Sequence, residues 1–181
     1  MAFVHLRTHT EFSVADGTLR IDAAIRAAAA DGQAALAITD LSNLFGAIKL
    51  YSGARKKGVK PIIGADLWVE PVGGEKAPSR LVLLVQDRQG YLNLCELISR
   101  AWLQHAQRSQ ACVKWEALAE LNAGLIALSG AEMGAVGQAL VANDVARAEG
   151  LARQLAGHFP DRFYIEVQRA GLPGNEAHVR A

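Results

Sequence analysis

The sequence predicts a single α/β domain, and three observations along its 181 residues support this. Short apolar runs alternate with amphipathic, helix-prone stretches from one end of the chain to the other. The predicted strands are apolar without polar alternation, which is typical of strands buried on both faces under covering helices, and it favours parallel pairing. No internal repeat, low-complexity segment or linker divides the chain. We therefore expect one domain over residues 1–181, and periodicity leaves an open sheet and a closed barrel as alternatives.

The individual elements follow from the apolar runs and from the turn residues that end them. Strands are predicted at residues 3–7, 34–39, 61–69, 80–86, 125–128 and 163–168. Helices are predicted at residues 21–30, 45–57, 91–103, 133–142 and 145–156, and another begins at residue 175. Gly32 and Gly58 follow the first two helices, where a glycine commonly ends a helix.

Composition and charge restrict the classes of function. With 51% hydrophobic residues the chain can bury a sizeable core, and no run approaches the ~18 apolar residues of a membrane span. The N-terminus does not resemble a signal peptide. Cys95 and Cys112 form no C-x-x-C pair, so neither a zinc knuckle nor thioredoxin-type chemistry is indicated, and a reducing cytoplasm is expected.

A net charge of +1 is low for a domain that grips nucleic acid alone. Residues 55–57 form the compact basic run, and a solvated helix end explains it better than a DNA contact.

Histidines and carboxylates gather at the end of the first predicted strand. Strand alternation places His5, Arg7 and His9 on one face, and Glu11 and Asp16 follow in the loop. Imidazole and carboxylate groups are the usual ligands of zinc and manganese, and α/β enzymes place their sites at such strand ends. The arginine between the histidines argues against a bound cation. A metal site and a hydrogen-bonded polar loop therefore both remain open from these residues alone.

Ordered sequence blocks across the chain resemble the PHP domain that opens the alpha subunits of bacterial DNA polymerase III. The blocks are FVHLRTHTEFSVADG (3–17), ALAITDLSNLFG (35–46), KPIIGAD (60–66), GYLNLCELIS (90–99), LNAGLIALSG (121–130) and FPDRFY (159–164). The resemblance implies a distorted barrel of about seven strands, of (β/α)7 type. Because a barrel needs its last strand to pair with its first, we expect the domain to be truncated before its last strand or strands.

In active members of the family, metal ions at the strand ends hydrolyse phosphoesters. The resemblance places ligand positions of that site on residues that cannot serve. Arg7 stands at the first histidine of the opening pair, and Leu41 stands where a histidine follows Thr-Asp. Arg80 and Ala170 stand at two further histidine positions. Losing even a supporting partner of a metal ligand costs about 10–100-fold in affinity or activity, so we expect no catalytic residues and no metal cofactor.

Some candidate ligands remain. His9, Asp16 and Asp66 are the residual metal-ligand candidates, and Asp66 replaces a glutamate that is one methylene longer. Asp40 and Glu166 are weaker nearby carboxylates. We expect Arg7 or Arg80 to pair with Asp16 or Asp66 in a structural ion-pair network. The alternative is an active phosphoesterase or 3′–5′ exonuclease that binds zinc or manganese.

The resemblance also implies partners. Related domains support the rest of the polymerase alpha subunit and receive the separate proofreading exonuclease (epsilon) subunit. DNA would be reached only through the full polymerase, a DNA-directed nucleotidyltransferase whose catalytic carboxylates are not in this sequence, and we expect no membrane partner. Trp68, Trp102 and Trp115 are candidates for a partner surface, although core packing is the simpler explanation for each.

Overall fold

The computed structural model describes residues 3–14, 16–71, 77–104, 106–107, 110–169, 171 and 175–181. Within these ranges the helices are α1 (Ile21–Ala30), α2 (Ala47–Lys56), α3 (Arg88–Gln104), α4 (Trp115–Glu120), α5 (Ala135–Val141), α6 (Val145–His158) and α7 (Asn175–Arg180). Short 3₁₀ turns occur at Glu11–Ser13 and Ala131–Met133. The strands are β1 (Ala35–Ile38), β2 (Lys60–Val69), β3 (Ser79–Val85), β4 (Ala106–Gln107), β5 (Gln110–Val113), β6 (Leu125–Leu128) and β7 (Phe163–Tyr164). Sequence reasoning missed β4, β5 and α4.

The long strand β2 organises a mixed sheet. Its first half pairs in parallel with β1, and its second half pairs antiparallel with β3 and, at its end, in parallel with β5. The sheet continues through antiparallel β6 to parallel β7, and β4 forms an antiparallel pair with β5. The expected parallel pairing therefore does not extend to β3, which is antiparallel to both of its neighbours. Only residues 70–78 connect β2 to β3, fewer than the dozen or more that a parallel crossover needs, and the two strands pair antiparallel.

The predicted strand at residues 3–7 is not a regular strand, although it lies beside β1. The His5 and Thr8 carbonyls accept hydrogen bonds from the Ala37 and Thr39 amides, both at 2.9 Å. Three residues separate the acceptors and two separate the donors, so an extra residue interrupts the ladder as in a bulge.

The predicted strand at residues 163–168 is regular only in β7. Beyond it, the Glu166 amide donates to the side-chain Oγ of Ser129 (2.9 Å) rather than to a backbone carbonyl. The sheet ladder therefore stops after Tyr164, and the chain continues in extended form beside the end of β6.

Both faces of the sheet are buried, as the continuous apolar strands predicted. On β3, Leu81 and Leu83 join the large core cluster beneath α3, α5 and α6, while Val82 and Leu84 face the opposite side with Ala37 and Leu128. A separate cluster packs α1 and α2 against β1 through buried side chains at helical spacing: Ile21, Ala24, Ile25 and Ala28. Among the helices described, none is long and apolar enough to cross a membrane.

Candidate functional site

The centre of the candidate site is the carboxylate of Asp66, on the inner face of β2. It has no solvent exposure and accepts hydrogen bonds from two arginines. Arg80 donates from Nε to Oδ1 and from Nη2 to Oδ2, both at 2.8 Å. Arg7 donates to Oδ2 from Nη2 at 2.6 Å and from Nε at 3.0 Å. The two guanidinium groups thus engage both oxygens of one buried carboxylate, in the charge-assisted geometry that makes such bonds strong.

The strand register explains how Arg80 reaches Asp66. Asp66 and Trp68 lie two residues apart on β2 and share a face, and Arg80 on β3 is the direct partner of Trp68. Diagonal neighbours on one face of an antiparallel pair are within reach of long side chains. The Arg80 guanidinium lies 4.5 Å from the Trp68 ring centroid, a cation–π distance, and the residue is only 4% exposed. Arg80 is therefore held between a carboxylate and an aromatic ring.

Arg7 connects the N-terminal segment to the last strand region. Its Nη1 donates to Glu166 at 3.1 Å, while the opposite side of the same guanidinium contacts Asp66. Gln168 donates from Nε2 to the same Glu166 carboxylate at 2.6 Å. Glu166 is thus part of the network, and Arg7 bridges the Asp66 carboxylate on β2 and the Glu166 carboxylate in the extended segment after β7.

His9 links Asp66 to the loop that follows His9 in the sequence. Its Nε2 lies 3.0 Å from Oδ2 of Asp66, and its Nδ1 lies 3.0 Å from Oδ1 of Asp16. Asp16 also approaches Arg80, at 3.7 Å from Nη2. Since both ring nitrogens face carboxylates, the protonated imidazole, which donates from both, is the form these contacts favour.

The network alters the pKa values of its members. Burial by itself raises the pKa of the Asp66 carboxyl, but the hydrogen bonds from Arg80 and His9 and the charges of both arginines outweigh it. The pKa of Asp66 therefore lies well below its ordinary value. Burial by itself lowers the pKa of His9, and the contacts with Asp66 and Asp16 reverse this, so that the pKa of His9 is raised.

Asp40 is buried but lies outside the network. Its carboxylate accepts from the Thr10 amide (2.6 Å), the Thr10 hydroxyl (2.8 Å) and the Ser13 hydroxyl (2.7 Å). The Ser13 Oγ in turn accepts from the Leu41 amide at 3.0 Å. Asp40 therefore fixes the turn that follows His9, and both of its oxygens accept hydrogen bonds from that turn. A Cβ on Gly17 would lie 2.0 Å from the Thr10 carbonyl oxygen, so this turn also needs glycine there.

The remaining predicted site positions are Leu41 and Ala170. Leu41 is the backbone bridge partner of Asp66, and its side chain has no atom that could bind a metal ion. Ala170 lies outside the described residues. Across the part of the chain that the structure describes, no group of three or more His, Cys, Asp or Glu side chains is arranged to hold a metal ion.

Two members of the arrangement were missed as site residues. Gln168 carries no signal in the sequence beyond its two-residue spacing from Glu166 on the same strand face. Trp68 was named as a candidate for a partner surface, with core packing as the simpler explanation, and its ring lies against the Arg80 guanidinium. Of the other tryptophans, Trp115 packs against the large core cluster, whereas Trp102 is 45% exposed and donates to the Ser42 carbonyl at 2.8 Å.

Comparisons with known proteins show the family to which this chain belongs. The profile of the PHP domain matches residues 5–170. DNA polymerase III subunit alpha of Pseudomonas fluorescens is 44% identical over 178 residues, which are 98% of this chain and 15% of that protein. The Escherichia coli K12 subunit of the same name is 39% identical over 180 residues, which are 99% of this chain and 15% of that protein. The match is to the N-terminal region of these subunits, so the chain spans about 15% of their length.

A solved structure also resembles the fold. A protein of Bifidobacterium adolescentis, assigned as a metal-dependent phosphoesterase, superposes with a TM-score of 0.49 at 15% sequence identity. The superposition covers 98% of this chain and 80% of that one.

Proposed function

We propose that this chain, which belongs to the PHP domain family, serves DNA replication in the cytoplasm as the PHP region of a DNA polymerase III alpha subunit. Its phosphoesterase site is replaced by an ion-pair network, and its role is to support the polymerase and to dock the proofreading exonuclease subunit. Identities of 36–44% to the N-terminal region of alpha subunits from several bacteria support the assignment to replication.

The main support for the loss of catalysis is that Arg7 and Arg80 both bind the Asp66 carboxylate. A metal ion at this position would have to displace a bidentate guanidinium from a fully buried carboxylate. It would also lie beside two permanent positive charges, since arginine does not deprotonate in proteins. The donor set therefore does not fit a metal cluster, and Arg7 and Arg80 supply the positive charge that the carboxylates need.

Metal analysis and hydrolysis test this proposal directly. The purified chain is dialysed against ZnCl₂ or MnCl₂, its metal content is measured by mass spectrometry, and hydrolysis of bis-p-nitrophenyl phosphate is followed. We expect far less than one equivalent of metal, no hydrolysis above buffer, and no change in either on His9→Ala. The matched variant carries Arg7→His, Leu41→His and Arg80→His, and should gain metal affinity.

The competing function is a metal-dependent phosphoesterase or exonuclease, for which His9, Asp16 and Asp66 are the available ligands. Stoichiometric zinc or manganese in the unaltered chain, with hydrolysis that His9→Ala abolishes, would establish that function and overturn ours. Because the chain lacks the polymerase carboxylates, we also expect no primer extension by it. Incorporation of nucleotides by the 181-residue chain would contradict this.

Docking of the exonuclease is a separate part of the proposal and needs its own measurement. The chain is titrated with the purified proofreading exonuclease subunit of Pseudomonas fluorescens, whose alpha subunit is 44% identical. We expect a 1:1 complex by calorimetry and light scattering, independent of added zinc or manganese. An absence of binding to this chain, together with binding to the full-length relative, would place the docking surface elsewhere in the subunit.

A further inference from the structure

Large apolar side chains are exposed to solvent where α2 begins and α3 ends. Phe45, two residues before α2, is 76% exposed, Ile48 on its first turn is 79% exposed, and Leu103 near the end of α3 is 85% exposed. The Trp102 indole donates to the Ser42 carbonyl at 2.8 Å, which brings the end of α3 next to the turn that carries Phe45. We call this surface the α2–α3 face. Exposed apolar residues are ordinary when scattered singly, whereas a group of them marks an interaction site.

The turn that presents Phe45 is fixed by one buried side chain, Asn43. Its Nδ2 donates to the carbonyls of Phe12 and Leu41, both at 3.0 Å, and its Oδ1 accepts from the Phe45 amide at 3.1 Å. The backbone at Phe45 is therefore held in place while the ring stays in solvent. A residue presented in this way loses little conformational freedom on binding, and such a ring is suited to fill a pocket in a partner.

The segment that contains α2 also holds a local excess of positive charge. No aspartate or glutamate lies between Asp40 and Asp66. The basic residues of this stretch are Lys49, Arg55, Lys56, Lys57 and Lys60, so it carries a charge of +5, whereas the whole chain carries +1. Lys49 lies 3.4 Å from each of two carboxylates. The other four form no ion pair with any residue that the structure describes, so their charge is available to an anionic partner.

The apolar and basic groups lie on the same side of α2. The buried residues of this helix are Ala47, Leu50 and Ala54, which pack towards α1 and β1. Ile48 and Arg55 are both exposed, and they lie seven residues apart on the opposite side, about 10 Å along the helix axis. The exposed side of α2 therefore changes from apolar at its N-terminal end to cationic at its C-terminal end.

We propose that the α2–α3 face docks an acidic amphipathic helix. The apolar residues of that helix cover Phe45, Ile48 and Trp102, and its carboxylates pair with the basic end of α2. An apolar centre with a charged rim is the composition of a non-obligate protein interface. The helix belongs to the proofreading exonuclease subunit, an assignment that rests on the docking function proposed above.

Charge and side-chain type favour this occupant over a second copy of the chain and over single-stranded DNA. A second copy would bring the same unpaired cations against one another, and like charges across an interface oppose binding. Single-stranded DNA would use the cations, and its bases would stack on aromatic rings. It offers nothing for the aliphatic side chains of Ile48 and Leu103, which are the most exposed apolar groups of the face.

Calorimetric titration with the purified exonuclease subunit of Pseudomonas fluorescens tests the surface. Phe45→Ala should weaken binding by about tenfold or more, because it removes the central anchor, and Arg55→Glu should do the same by reversing a charge. The matched controls are Val145→Ala and Arg153→Glu, which alter exposed residues of the same types on α6 and should bind as the parent chain does. Circular dichroism confirms that each variant is folded.

Coupling with a carbodiimide tests the acidic character of the partner, since this reagent joins lysine amines to carboxylates in contact with them. Mass spectrometry should find Lys56, Lys57 or Lys60 joined to aspartate or glutamate in one segment of the exonuclease subunit. Coupling through Lys114 alone, which lies outside this face, would contradict the proposal.

The outcomes separate this surface from the docking function itself. Binding that neither Phe45→Ala nor Arg55→Glu weakens overturns the α2–α3 face as the site and leaves docking intact. An exonuclease subunit that binds the full-length relative but not this chain overturns both. A fluorescein-labelled oligo(dT) is titrated in parallel. If the two variants weaken its binding and leave that of the exonuclease subunit unchanged, the face binds DNA and the proposal is wrong.

Discussion

Removing the charge of Asp66 should unfold this domain far more readily than any ordinary polar substitution. Asp66→Asn keeps the shape of the side chain but leaves Arg7 and Arg80 without their shared counter-charge. Five donor atoms of Arg7, Arg80 and His9 lie within 3.0 Å of this carboxylate, which has no solvent exposure. Arg80 is itself almost fully buried, so water cannot replace the lost anion.

The expected size follows from what such a removal leaves behind. Breaking a buried ion pair by deleting one partner costs about 3–5 kcal/mol, because the other charge stays in a medium of low polarity. For a chain of this length that loss corresponds to a fall in melting temperature of roughly 6–20 °C. The matched control is Asp16→Asn, whose side chain is 43% exposed and contacts the same His9 and Arg80. An exposed pair of this kind contributes about 0–1 kcal/mol.

Urea unfolding followed by circular dichroism measures both variants against the parent chain, in buffer with chelator and again with manganese. A loss for Asp66→Asn no larger than that for Asp16→Asn would refute the ion-pair reasoning. The metal-site alternative makes a different prediction. If Asp66 is a metal ligand, manganese stabilises the parent chain and Asp66→Asn removes that stabilisation.

Further predictions concern pH, one strained residue and one close contact. Burial lowers the pKa of His9, but the contacts with Asp66 and Asp16 outweigh it, so the pKa is raised. The contribution of His9 to the folding stability is therefore complete below about pH 6.5 and is lost as the pH rises through the folded pKa. His9→Gln should remove this pH dependence in urea titrations. Ser42 has φ +52°, and its buried hydroxyl has no partner among the described residues, so Ser42→Gly should raise the unfolding free energy by about 1 kcal/mol. Gly90→Ala should lower the melting temperature, because its Cβ would lie 1.8 Å from the Gly124 carbonyl oxygen.

Apart from α4, β4 and β5, which were missed, the sequence predicted the helices and the interior strands closely, because their signals are local. The run of four alanines before Asp31 and Gly32 defines α1, and the uninterrupted apolar residues of β3 mark a strand buried on both faces. The errors arose where pairing with a distant segment decides the structure. The extra residue between His5 and Thr8 interrupts the ladder with β1. The sequence of residues 3–7 does not show which residues of β1 they pair with.

At the candidate site too, the sequence identified the residues but not their geometry. A resemblance between motifs identified Arg7, Leu41 and Arg80 as departures from a metal-binding pattern and predicted that Arg7 or Arg80 pairs with a nearby carboxylate, but it did not predict that both arginines share Asp66. The structure provides one buried carboxylate for both, with Trp68 beneath one guanidinium and Glu166 beside the other. Because each arginine contacts Asp66, the two substitutions are energetically coupled, and we expect Arg7→Gln and Arg80→Gln to be non-additive in stability.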